Sequence, residues 1–298
     1  MRSNTPSPLS QPTTERPSAT QRANEHGARE FDVRQVRGAA GEVVSDRIAI
    51  EEPLEIRIVI DVDGKKKDRS ISITMRTPGA DAKLAVGFLV TEGIVTERDD
   101  VVMVRPCRSG SVVRVRLHDR LPVDLQRLQR HFFTSSSCGV CGKTSIDAVS
   151  VQIQSPLQAA VPQVPAELLG QLPERLREAQ TLFDQTGGLH ASGLFDCVGQ
   201  LLGVEEDVGR HNALDKLIGG QWMSDASVFA QSILVVSGRI SFELVQKALV
   251  VGIPIMVAVG APSSLAIELA QRHGMTLVGF TKSDRYNVYH DAQRIAAR

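Results

Sequence analysis

Three short apolar runs near the C-terminus constrain this chain most. They lie at 233–236 (Ile-Leu-Val-Val), 255–259 and 275–280. Two helical patterns, at 242–250 and 263–271, separate them. Apolar runs of four to six residues that alternate with helices read as buried strands of a mainly parallel sheet, covered by helices. In such sheets ligands gather at the loops beyond the strand C-termini. Ser237-Gly-Arg239, Gly260-Ala-Pro262 and the segment after Phe280 fall there.

The first half follows another rule. Ile56, Ile58, Ile60 and Val62 alternate, Asp63-Gly64 and three lysines follow, and Ile71, Ile73 and Met75 alternate again. That predicts a hairpin with one buried face, tipped by solvated lysines. Leu84, Ala85, Phe88 and Leu89 recur at helical spacing, with Asp81 as N-cap. A second hairpin is expected around Ser109-Gly110. The order ββαββ predicts a small α+β domain. Leu172, Leu176, Ala179 and Phe183 predict one helix, closed by Gly187-Gly188. Residues 1–30 carry four prolines and few large apolar side chains, and are expected to be a disordered tail without a secretory signal. The expected division is thus 1–30 tail, 31–132 small α+β domain and 133–298 α/β domain.

Lys plus Arg and Asp plus Glu both number 34. A zero net charge argues against gripping duplex nucleic acid or an anionic membrane through bulk charge. No apolar window approaches the ~18 residues of a spanning helix. Aromatics, at 4%, are too few for a base-stacking single-strand binder. Four cysteines, Cys107, Cys138, Cys141 and Cys197, are too irregular for a disulfide framework and fit a reducing compartment.

Cys138-Gly-Val-Cys141-Gly142 follows Thr134-Ser-Ser-Ser137 in a stretch of small residues. It has three readings: half a zinc site, a dithiol redox pair, or a sulfur carrier. Structural zinc needs about four ligands, and no second Cys-x-x-Cys exists. The flanks are Ser and Gly rather than the strand–helix junction of a redox motif. His190 sits among small residues, where backbone approaches a ligand closely or a structural histidine finds a partner. A zinc deaminase reading fails, because Ser192 stands where His-x-Glu needs Glu and the Cys pair precedes the histidine.

Arg210, His211 and Asn212 crowd the first turn of a helix that Gly219 is expected to end. Cations there oppose the helix dipole unless an anion shares the site. The alternative is a salt bridge from Arg210 to Glu205, Glu206 or Asp207. Ser237-Gly238-Arg239 offers amide donors and a guanidinium at a strand-to-helix turn, and Lys282 and Arg285 follow the last apolar run. Together they imply a ligand with more than one phosphate. Neither a P-loop nor a Rossmann glycine motif is present.

In order along the chain stand Glu52-Pro-Leu54, Met75-Arg-Thr-Pro78, Gly87-Phe-Leu89 with Glu92-Gly93, Cys138-Gly-Val-Cys141-Gly, Gly188-Leu-His-Ala191, Glu206-Asp-Val-Gly-Arg-His-Asn212 with Asp215-Lys216, Ser237-Gly-Arg239, Phe242-Glu243 with Gln246-Lys247, and Leu265-Ala266. This series, over roughly residues 47–290, resembles the formate dehydrogenase accessory sulfurtransferase family (FdhD). The resemblance implies a cytoplasmic sulfurtransferase that accepts persulfide sulfur from a cysteine desulfurase. It implies transfer to the bis-molybdopterin guanine dinucleotide molybdenum cofactor needed by formate dehydrogenase. It further implies a three-layer C-terminal domain like cytidine deaminase, without the deaminase metal. Its carrier cysteine falls on Cys138 and its second cysteine on Cys141. Its cofactor segment maps to Phe280, Thr281, Lys282, Ser283, Asp284 and Arg285, with Lys282 where the family often has Arg, so that charge is kept and bidentate phosphate geometry lost. Arg210, His211, His190, Ser237, Gly238 and Arg239 are expected to complete the cofactor site. A homodimer is compatible with the apolar helices. The rival readings are a cofactor-holding chaperone with structural cysteines, and a zinc protein.

Overall fold

The computed structural model describes residues 27–62, 64–121, 153 and 156–296. Along the chain run β1 (Ala28–Arg37), β2 (Ala40–Ala49), β3 (Glu52–Val62), β4 (Lys65–Arg76), α1 (Asp81–Thr91), β5 (Val101–Pro106), β6 (Val112–Leu117) and β7 (Val164–Pro165). Then come α2 (Ala166–Glu178), α3 (Thr181–Thr186), β8 (His190–Phe195), β9 (Leu201–Asp207), α4 (Arg210–Ser224), β10 (Ile233–Val236) and α5 (Phe242–Val250). β11 (Ile255–Ala258), α6 (Ser264–His273), β12 (Thr276–Lys282), β13 (Arg285–His290) and β14 (Ile295–Ala296) complete the described chain.

The first half builds a four-stranded sheet, β4-β3-β6-β5, with α1 packed on it. β3 buries Leu54, Ile56, Ile58 and Ile60, as the alternation predicts. β4 departs from expectation. A register shift at Ile56/Arg57 leaves Ile71 bulged and buried, and turns Ile73 and Met75 out to solvent. One extra residue reverses the faces beyond it. Asp81 is the first helical residue rather than the N-cap, which is Ala80 in a left-handed conformation. The Asp81 carboxylate instead takes two hydrogen bonds from the buried guanidinium of Arg76. β1 and β2 pair only with each other, expose Phe31, Val36 and Val43, and begin inside the segment expected as tail.

The second half builds a six-stranded sheet in the order β13-β12-β11-β10-β8-β9. β10, β11 and β12 are parallel, as their apolar runs predict, and antiparallel strands complete both edges. Leu169, Leu172 and Leu176 of α2 cover one face against Ile233, Val235, Val257 and Val278. The other face, with Leu234, Val236, Met256 and Leu277, packs in one core with α4, α5, α6 and the α1 side of the first sheet. The helix–sheet–helix order is the three-layer α/β architecture expected. Among the described residues no helix is long and apolar enough to cross a membrane.

Two helical expectations change. The stripe from Leu172 to Phe183 is two helices broken at Ala179-Gln180. α4 does not stop at Gly219 but continues to Ser224. Gly219 is small for another reason: a Cβ there would lie 1.9 Å from the Lys83 carbonyl oxygen of α1. Gly87 on α1 answers it, since its Cβ would lie 1.8 Å from the Asp215 carbonyl oxygen. Facing glycines let the two backbones touch, and Gly inside a helix is retained where something demands it.

Candidate functional site

The parallel strands end in loops that stack on one another. Gly260 donates its amide to the Gly238 carbonyl (3.1 Å), and Phe280 donates to the Gly260 carbonyl (3.1 Å). A Cβ on Gly260 would come within 2.9 Å of Gly238 O, so the approach requires glycine. Ser237 locks the loop to β8: its amide donates to Ala191 O, and its hydroxyl accepts from Ala191 N at 2.9 Å. A Cβ on Gly238 would sit 3.3 Å from His190 Nδ1, which brings this loop against the histidine. Phe280 is exposed with φ +51°, a conformation rare for a bulky residue, at an irregularity between β12 and β13.

These loops border an open cavity of about 750 Å³. His190, Ser237, Thr281, Lys282 and Ser283 line it on the strand side, and α2 and α3 form the opposite wall. Gly170 on α2 lets the 282–283 turn come close, since a Cβ there would lie 3.0 Å from Ser283 O. Thr281 is buried, yet its Oγ1 has no hydrogen-bond partner among the described residues. A buried hydroxyl without a partner is costly and marks a place for a ligand group or a water.

Arg210 and His211 open α4 beside His190. The expected competitors for Arg210 are all engaged elsewhere. Glu205 pairs with Lys83 at 2.6 Å, Glu206 accepts the Leu182 and Phe183 amides, and Asp207 pairs with Lys216 at 2.7 Å. The Arg210 guanidinium therefore has no salt bridge among the described residues, and its buried Nε has no hydrogen bond. Burial, then the Arg210 charge, holds His190 below its ordinary pKa. His211 is lowered to about 3 by burial, then by Lys247, Arg210 and His190. It faces the Ser241 hydroxyl at 3.3 Å and the Glu243 carboxylate at 3.9 Å. Two neutral imidazoles and an unpaired guanidinium make a region that favours an anion.

The cavity thus unites five of the residues singled out in the sequence. Arg210 and His211 stand behind His190. Arg239, Asp284 and Arg285 are exposed beyond the rim. Cys138 and Cys141 lie outside the described residues. Among the described residues no group of His, Cys, Asp and Glu side chains is placed to hold a metal ion.

Comparison with known proteins bears on the same segments. Residues 50–296 match the FdhD/NarQ family model. The chain belongs to the FdhD/NarQ family. The "Sulfur carrier protein FdhD" of Streptomyces coelicolor is 46% identical over 272 residues, covering 88% of this chain and 94% of that protein. The protein of the same name from Mycobacterium tuberculosis is 44% identical over 276 residues, covering 88% and 97%. A solved structure from Desulfotalea psychrophila, a candidate formate dehydrogenase accessory protein, has the same fold, with TM-score 0.68 and 23% identity over 90% of this chain and 99% of that one.

Within this FdhD/NarQ chain the long polar motif at 206–216 divides its labour. Asp207 accepts the Thr77 amide, while Lys216 donates to the Thr77 carbonyl at 2.9 Å. Asn212 donates to Met75 O at 2.7 Å. Asp215 pairs with Lys247 at 2.9 Å and accepts from Thr91. Although burial lowers it, the Asp215 and Glu92 carboxylates hold the Lys247 ammonium above its ordinary pKa. Arg210 and His211 do not line the cavity but lie close enough to His190 for their charges to act on one another. The sequence reading missed the α2–α3 wall, whose polar members Glu174, Arg177 and Gln180 look like an ordinary helix surface in sequence.

Proposed function

We propose that this chain is a sulfur carrier that serves formate dehydrogenase. In this reading Cys138 accepts sulfane sulfur from the persulfide of a cysteine desulfurase. The acceptor is the bis-molybdopterin guanine dinucleotide molybdenum cofactor, bound as substrate in the cavity. One observation carries the proposal: a single cavity gathers anion-binding groups from several strand ends, in a chain 46% identical to a protein named as a sulfur carrier.

Loading is an exchange at sulfur. The Cys138 thiolate attacks the outer sulfur of the donor persulfide. A new S–S bond forms on Cys138, the donor S–S bond breaks, and the donor cysteine leaves as thiolate with the electron pair. Onward transfer to a nucleophilic acceptor reverses the roles, with Cys138 as the leaving thiolate. Its rate follows thiolate fraction and access, and Lys143 nearby in sequence favours the thiolate. In the cavity, Lys282 and the Thr281 and Ser283 hydroxyls are suited to phosphate oxygens, and neutral His190 can donate one hydrogen bond.

Mass spectrometry after incubation with a cysteine desulfurase tests the carrier assignment. The wild type should gain one sulfur, and Cys138→Ala should not. Cys107→Ala and Cys197→Ala should load normally. Undiminished loading of Cys138→Ala overturns the assignment. Cofactor binding that persists in a Cys138→Ser variant unable to support formate dehydrogenase separates transfer from mere holding.

A further inference from the structure

We propose that the open face of the four-stranded sheet docks a carboxylate-bearing helix of a partner protein on a row of arginines. The proposal does not depend on what occupies the cavity.

One face of β4-β3-β6-β5 packs into the core with α1. On β6, Val113, Val115 and Leu117 point into that core, and Arg114 and Arg116 alternate onto the other face. The register extends the row across the sheet. Arg114 stands opposite Arg57 of β3 on one side and Arg105 of β5 on the other. Arg116 stands between Val59 and Met103. Like charges directly opposite one another weaken a sheet, so such a row is unfavourable without counter-charge. The chain supplies only part of it. Asp68 pairs with Arg57 at 2.6 Å and with Arg114 at 2.8 Å, and Glu55 pairs with Arg57 at 2.6 Å. Arg114 also donates to Cys107 Sγ. Arg105 is exposed, and neither it nor Arg116 has an ion pair or hydrogen bond among the described residues.

Charge selects the occupant. Residues 1–26 and 122–152 each hold three Lys or Arg and two Asp or Glu, so neither segment of this chain complements the row. A second copy meeting the same face would set arginine against arginine. The phosphates of a nucleic acid or a lipid surface would meet Asp68 and Glu55 as well as the arginines. A protein can instead place carboxylates and neutral groups side by side, and arginine and methionine are enriched where proteins meet. Spacing selects a helix. Neighbouring strands lie about 4.8 Å apart, close to the roughly 5–6 Å between residues three or four apart on one helix face. A helix laid across the strands can therefore set a carboxylate beside the arginine of each strand.

The experiment is fluorescence anisotropy of the full chain with a labelled helical peptide that carries Glu at every third and fourth position of one face. A peptide with Gln at those positions is the comparison. The wild type should bind the Glu peptide and not the Gln peptide. Arg105→Gln/Arg116→Gln breaks no ion pair among the described residues, should keep the wild-type circular dichroism, and should weaken the Glu peptide about tenfold. Arg272→Gln, at an exposed position on α6, should leave binding unchanged. Absence of binding to the Glu peptide overturns the proposal, and so does an equal loss in Arg272→Gln, which would make the attraction one of bulk charge. Duplex DNA and vesicles of phosphatidylserine and phosphatidylcholine complete the test. If either binds more tightly than the Glu peptide and loses that binding in the double variant, the row belongs to that class of partner and the proposal falls.

Discussion

The Lys216 ammonium lies 2.7 Å from the Asp207 carboxylate, and both side chains are almost wholly buried. Thr77, in the connection after β4, clasps the pair from outside: its amide donates to Asp207 and its carbonyl accepts from Lys216. The pair therefore ties the start of α4 to the four-stranded sheet. Removing one member of a buried pair strands the other charge, at a cost of about 3–5 kcal/mol. Lys216→Ala should lose stability on that scale in urea unfolding. A loss below about 1 kcal/mol, the range of an exposed pair, would contradict this role.

The α1–α4 contact makes a second stability prediction. Gly219→Ala would place a methyl 1.9 Å from the Lys83 carbonyl oxygen, a backbone atom that cannot swing aside. Overpacking of this kind costs about 1–3 kcal/mol or more, against a helix-propensity gain of at most about 1 kcal/mol. Net destabilisation by thermal unfolding is expected. Gly252→Ala is a poor control because of its positive φ (78°), whereas Gly188→Ala meets nothing closer than 3.8 Å and should be far milder.

The sequence located β3 because its burial alternates with period two, and β10, β11 and β12 because strands covered on both faces read as continuous apolar runs. It failed where a single local event resets the period. The bulge at Ile71 reversed Ile73 and Met75, and no residue type announces a bulge at that point. Gly219 looked like a helix end because a glycine chosen for close packing and one chosen for a left-handed cap are the same letter. His190–Phe195 was given no strand from the sequence, because its small residues, buried between neighbouring strands, carry no alternation to reveal it. At the site, Lys282, Ser283 and His190 were legible as chemistry beside turns. The polar motif around Asp207 was legible as important but not as structural. Which side of a helix faces the seam and which the cavity depends on partners, such as Thr77 and Thr91, far away in sequence.

His211 makes stability depend on pH. Its native pKa is near 3, while the unfolded chain has the ordinary value near 6.5. Between those values the unfolded state binds one more proton than the native state. Stability is therefore fully present above about 6.5 and falls as pH drops toward 3, with a slope of at most about 1.4 kcal/mol per pH unit from this group. His211→Gln should flatten the profile in urea unfolding between pH 7 and pH 4. Identical slopes in the two proteins would remove His211 as the source.

Arg210 and His190 give the most direct test of the electrostatics beside the cavity. Burial favours the neutral His190 imidazole most, and the Arg210 guanidinium, which has no salt bridge among the described residues, adds to it against the opposing Asp207 carboxylate. Arg210→Gln should raise the His190 pKa toward its ordinary value, read from the imidazole resonances in an NMR titration. Arg210 has no salt bridge among the described residues to lose, so the variant should stay folded and the shift can be measured in a folded protein. Guanosine diphosphate should raise the same pKa in the wild type, because a nearby phosphate favours the imidazolium. A His190 titration indifferent to both the substitution and the nucleotide would mean that the Arg210 charge is screened and that phosphate binds elsewhere.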